Sequence, residues 1–220
     1  MGGVGMAAAI EALERWSEKP LLWSTIQFIS HGMLDEGFTL ALKRMGGGRR
    51  IIQASAELLR GDDVLQHSVA ALGARGPEDN HQFARMPDVA PPEDCDAKQD
   101  DLMQRPGNLI DQFERRIARA DEDAGIEYMW IRPVFETRFS AALLALMSDF
   151  FLGAHSRSRG GTSLDNTFRL CGLVETDWVL AATELSCFKN GAAHGTQRQF
   201  SQDGTLLSIS SQTGLLPEQG

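Results

Sequence analysis

The spacing of apolar and polar positions changes period along the chain. From Gly5 to Glu18 the sequence is Ala-rich with apolar residues at helical spacing, which predicts a helix. Four segments with the two-residue alternation of strands follow, at about 21–31, 37–45, 48–59 and 64–75. Later, Thr137 to Leu152 is apolar almost all round, as expected of a helix enclosed by a core. Four more strand-like segments follow it, at about 162–171, 177–187, 191–201 and 205–213. Corresponding strands start 141, 140, 143 and 141 residues apart, which points to an internal duplication.

Turn chemistry supports the strands. Gln202-Asp203-Gly204 between two alternating runs predicts a hairpin with a type I′ turn, and Gly46-Gly47-Gly48 and Gly61-Asp62-Asp63 play that part in the first half. The halves are not equal. Two further strand candidates, about 109–119 and 127–134, precede the second helix, and nothing stands before the first. The first repeat is therefore expected to lack its leading strand. The edge so exposed calls for cover, which predicts a homo-oligomer.

Composition refines this picture. The 220 residues carry 21 bases and 30 acids, a net charge of −9, with 42% apolar residues. Residues 77–107 hold five of the eight prolines and eight acids against three bases, so they read as a solvated connector that takes more than half of the net charge. The expected organisation is a repeat over 1–76, the connector over 77–107 and a second repeat over 108–220. No basic cluster suits a nucleic-acid backbone, and nucleic acid is excluded as a partner. No apolar run approaches the ~20 residues of a membrane span. Cys95, Cys171 and Cys187 are an odd set without CxxC spacing, which suits a reducing cytoplasm better than a disulfide framework or zinc site. Gly3-Val4-Gly5-Met6-Ala7-Ala8 fits a dinucleotide fingerprint but follows no strand. Its glycines at a helix start can instead bring backbone amides close to a carbonyl or phosphate.

One side chain interrupts the second apolar helix. Burying the Asp149 carboxylate without a partner costs several kcal/mol, so it is paired, protonated, facing a wet pocket, or pointing to solvent from a fraying end. Downstream, Ser163, Asp165, Thr167 and Arg169 alternate and are expected on one face of a strand.

In the second half, Thr162-Ser163-Leu164-Asp165-Asn166, Asp177-Trp178-Val179-Leu180, Gln202-Asp203-Gly204 and Ser211-Gln212-Thr213-Gly214 follow one another in order. This succession resembles the thioesterase II family, the double-hotdog acyl-CoA thioesterases, and the resemblance covers nearly the whole chain. It implies an α+β double hotdog, in which two antiparallel sheets each wrap a central helix. It implies hydrolysis of an acyl-CoA or similar acyl thioester, with Asp149, Ser163 and Gln212 as the catalytic residues around an attacking water and Asp165 in support. No metal or redox cofactor is implied. Asn166 departs from the pattern, where histidine is common. Counting back 141 residues sets Leu22 against Ser163 and Ala71 against Gln212, so one catalytic centre per chain is expected. Two alternatives stay open: a non-catalytic binder of acyl thioesters or scaffold, and a hotdog hydratase or dehydratase, for which His155 is the one histidine near Asp149.

Overall fold

The computed structural model of the chain describes residues 2–32, 36–74, 81–99 and 108–218. Helix α1 (Gly2–Ser17) is followed by β1 (Leu21–Phe28), β2 (Thr39–Gly47), β3 (Ile51–Arg60) and β4 (Asp63–Gly73). The connector contributes the two-residue strand β5 (Asp96–Ala97), and β6 (Phe113–Asp121) and β7 (Ile126–Pro133) follow. Helix α2 (Ala141–Ser148) then leads to β8 (Thr162–Leu170), β9 (Val179–Lys189), β10 (Ala192–Ser201) and β11 (Leu206–Leu215). Apart from β5, every strand lies within a few residues of a segment predicted from alternation.

The class is α+β, but the strands do not separate into two sheets. They form one antiparallel sheet of eleven strands in the order β2-β3-β4-β1-β8-β11-β10-β9-β7-β6-β5. The joint is β1 against β8, where Trp23 faces Arg169, Thr25 faces Thr167 and Gln27 faces Asp165. Pairing here satisfies backbone groups that two separate sheets would leave at their edges. Both helices pack against each other, and they share one core with inner residues of both halves, including Leu21, Ile26, Phe168 and Val179.

The duplication is written in the ladders. In the first half Leu21 pairs with Leu72 and Trp23 with Ala71, leaving Leu22 as the extra residue of a β-bulge. In the second half Ser163 pairs with Gly214 and Asp165 with Thr213, leaving Leu164 extra. Each second-half residue is its counterpart moved by 142 positions, so the bulge itself is repeated. On one flank the sheet continues beyond β9 through β7, β6 and β5; on the other, β2 pairs on one side only among the described residues.

Helix α2 is shorter than its apolar run. Ser140 caps it by accepting a hydrogen bond from the Leu143 N–H at 3.2 Å. It ends at Ser148, whose hydroxyl donates to the Ala145 carbonyl at 2.7 Å, and Asp149–Ala154 continue as three-ten turns. Asp149 thus sits at the helix boundary, not inside it.

Two other expectations change. At Gln202-Asp203-Gly204 the Gly204 N–H donates to the Ser201 carbonyl at 3.0 Å and only Gly204 has positive φ, so the turn is not type I′. That signature falls on Asn190-Gly191, with φ of 52° and 74°, between β9 and β10. The described connector, 81–99, is not simply solvated. Met86, Val89 and Cys95 pack on a cluster of Tyr128, Trp130 and Trp178, because apolar residues are interleaved with its prolines and acids. Lys98 Nζ lies 2.6 Å from the Glu127 carboxylate and donates to the Gly153 carbonyl at 2.9 Å, with both charged side chains almost wholly buried.

Candidate active site

The site forms where the start of α1, the end of α2, β8 and β11 meet. The first N–H groups of a helix have no partner within it, and that end of the helix attracts negative charge. The first turn of α1 contains no acid, and Asp149 supplies one from the C-terminal boundary of α2: the Gly3 N–H donates to Asp149 Oδ2 at 2.7 Å. Glycine makes the approach possible, since a Cβ at Gly3 would lie 2.8 Å from the Asp149 Cβ and 3.1 Å from the Leu146 carbonyl oxygen.

The second carboxylate oxygen faces the sheet. Asp149 Oδ1 accepts from Ser163 Oγ at 3.2 Å and from Gln212 Nε2 at 3.1 Å, and Gln212 Nε2 also donates to Ser163 Oγ at 2.8 Å. The structure therefore brings together Asp149, Ser163 and Gln212, which lie far apart in sequence. Asp149 is only 8% exposed, so the solvent-facing alternative does not hold. Burial pushes its carboxyl above the ordinary value; the hydrogen bonds from Gly3, Gln212 and Ser163 oppose that rise.

Asp165 stands beside the trio without joining it. Its Oδ1 accepts the Thr213 N–H at 2.8 Å, next to the bulge. The common face expected for Ser163, Asp165, Thr167 and Arg169 is corrected by that bulge. The extra residue Leu164 interrupts alternation, and Ser163 and Asn166, three positions apart, reach the same Gln212 side chain.

Three contributors escaped sequence reasoning. Gly3 carried a visible signal, a glycine at a helix start, but its N–H serves a side chain of this chain. Ser148 carried none, and Asn166 showed only as a departure from the family pattern; Asn166 Nδ2 donates to Ser148 Oγ and to Gln212 Oε1, each at 3.0 Å. In the first half the register of 142 places Leu21 opposite Ser163 and Ala70 opposite Gln212, one residue from the estimated counterparts. Both are apolar, and the polar set occurs once among the described residues. His155 is engaged elsewhere, with Nδ1 accepting the Arg157 N–H at 3.0 Å and its ring edge-on to Phe188. A cavity of about 520 Å³ opens along another face of α2, lined by Leu143, Met147, Ile131 and Val179, and the trio does not line it. Among the described residues no helix is long and apolar enough to cross a membrane.

No curated protein matches the sequence. Among solved structures, a candidate thioesterase from Novosphingobium aromaticivorans is 28% identical, with a TM-score of 0.93 over 99% of this chain and 87% of its own. A hot dog protein from Alicyclobacillus acidocaldarius has 20% identity and a TM-score of 0.86, covering 100% of this chain and 88% of its own. An acyl-CoA thioesterase II from Mycobacterium marinum has 21% identity and a TM-score of 0.83, covering 100% and 90%. These likenesses establish the hotdog fold. The family described as the acyl-CoA thioesterase C-terminal domain matches residues 92–216, more than half of the chain. That stretch contains α2, β8 and β11 with Asp149, Ser163 and Gln212, and the chain belongs to this acyl-CoA thioesterase family.

Proposed function

We propose that the protein hydrolyses acyl-CoA thioesters to the free acid and CoA by direct attack of a water molecule. The observation that carries this reading is the Asp149 carboxylate, buried yet ionisable, with three protein donors ordered around it. A carboxylate offers about four acceptor positions, and these bonds leave one on Oδ2 for the O–H of a water. Asp149 is the general base, Ser163 and Gln212 position the water, and Asp165 supports them by holding β11 at Thr213.

The chemistry balances in two steps. The water oxygen bonds to the thioester carbonyl carbon as its proton passes to Asp149. The tetrahedral adduct then expels CoA by breaking the C–S bond, and the departing thiolate takes the proton from Asp149. Ser163 has no histidine to activate it as a nucleophile, so no acyl-enzyme is needed. A carboxyl whose proton affinity is raised by burial is a stronger base than an exposed aspartate.

The edge at β2, unpaired among the described residues, favours a homo-oligomer, which light scattering should report as a mass above the 24.1 kDa of one chain. Three unpaired cysteines suit a cytoplasmic location.

The deciding experiment measures CoA release from acyl-CoAs of several chain lengths. Asp149→Ala should lower kcat at least about 100-fold, the scale of a lost general base. Wild type no faster than Asp149→Ala on every substrate sinks the hydrolase reading and leaves a non-catalytic binder of acyl thioesters.

A further inference from the structure

We propose that Asn166 is a positioning residue, which sets the orientation of the Gln212 amide so that Nε2 faces Asp149 and Ser163. This rests on the functional reading above, which needs Gln212 to present a donor to the site.

A glutamine amide has nearly the same shape in its two flipped orientations, so packing alone does not select one. Here the selection begins at a backbone carbonyl, which can only accept. Ser148 Oγ donates its single proton to the Ala145 carbonyl at 2.7 Å and so offers only lone pairs elsewhere. Asn166 meets it with Nδ2 at 3.0 Å. The second Nδ2 proton goes to Gln212 Oε1, also at 3.0 Å. With its oxygen thus held, Gln212 turns Nε2 to Ser163 Oγ at 2.8 Å and Asp149 Oδ1 at 3.1 Å. Polarity is passed in one direction from Ala145 to the carboxylate.

Burial makes this chain strict. Ser148 and Asn166 are 0% exposed and Gln212 is 3% exposed. If Asn166 were reversed, its Oδ1 would oppose both a hydroxyl lone pair and Gln212 Oε1. In the observed orientation that same Oδ1 is enclosed without a partner among the described residues. The two Nδ2 bonds therefore hold the group against the unmet need of its own oxygen. The repeat supplies a contrast: the cross-strand pair equivalent to Asn166–Gln212 is Ser24–Ala70, which has no amide to orient.

The test uses the full chain and Asn166→Leu, which keeps the volume and removes the donor. In a ¹H–¹⁵N spectrum the Gln212 side-chain NH₂ pair, identified by its loss in Gln212→Ala, should shift and broaden in Asn166→Leu. Ser148→Ala should produce a smaller change of the same kind, and it serves if Asn166→Leu does not fold. In steady-state hydrolysis Asn166→Leu should lower kcat about tenfold with KM within about twofold, as expected for a misaligned water-binding group. In a Gln212→Ala background the same substitution should change kcat by less than about twofold, because nothing remains to orient. Unchanged Gln212 resonances in the folded variants overturn the proposal, as does an equal kcat loss in both backgrounds. If wild type hydrolyses no acyl-CoA, the hydrolase reading fails and the spectra alone decide the role of Asn166.

Discussion

The hydroxyls of Thr25 and Thr167 meet at 3.0 Å where β1 pairs with β8. The two residues lie directly opposite each other and are counterparts in the repeat, so the local two-fold relation between halves passes between them. Replacing one by valine leaves the other hydroxyl half-buried without its partner, whereas replacing both removes the need on each side. Thr25→Val and Thr167→Val should each cost about 1 kcal/mol in chemical denaturation, and the double variant less than their sum.

Gly3→Ala sets helix propensity against contact. Alanine in a helix is favoured over glycine by about 1 kcal/mol. The added methyl, however, falls 2.8 Å from the Asp149 Cβ and 3.2 Å from Oδ2. The variant should lose roughly 1–3 kcal/mol of stability to overpacking. Its kcat should also fall, because the 2.7 Å bond from the Gly3 N–H must lengthen. A stable variant with unchanged kcat would show that this bond does not place the proposed base.

The raised Asp149 carboxyl makes a paired pH prediction. With Asp149 as the proposed general base the ionised form is the active one, so kcat should rise with pH through an ionisation above the ordinary aspartate value of 3.8. Stability should move the other way. As pH rises from the unfolded value to the folded one, the unfolded chain ionises first, so this group's contribution declines and is then flat. Denaturation midpoints across that window should show the slope in wild type and its loss in Asp149→Ala.

Lys98→Met tests the connector's anchor. It leaves the Glu127 carboxylate buried, with a side chain 6% exposed, and without the ammonium that stands 2.6 Å away. Removing one member of such a pair costs about 3–5 kcal/mol, whereas replacing both by apolar residues is often neutral. Thermal unfolding should therefore place Lys98→Met well below wild type and the double variant Lys98→Met/Glu127→Leu between them.

Much of the fold was legible because period is a local property. Ten strands and two helices could be read from spacing, and the repeat from their order. What could not be read depends on encounters between distant segments. The joining of two sheets into one requires β1 to meet β8 across more than 130 residues. The bulge at Leu164 adds a residue without altering the apolar pattern, so strict alternation put Ser163 on the wrong face. Asp149 stands out as a carboxylate in an apolar run, whereas Ser163 and Gln212 are placed only by resemblance to a family, since serine and glutamine in a strand carry no chemical label. Asn166 stands out in the sequence only as a departure from that pattern; its hydrogen bonds to Ser148 and Gln212 exist only after folding. Lys98, lying among prolines and acids, looked solvated because its buried partner Glu127 is 29 residues away.

The repeated bulge has a practical consequence. Among the described residues the bulged strand pair is made twice, and one copy carries the polar side chains of the candidate site. The unfurnished copy, with Leu21 and Ala70 at the counterpart positions, shows what the bulge looks like without chemistry attached. It is a built-in blank: a strand pair of matching register in which a second set of side chains could be installed, and compared with the first inside one molecule.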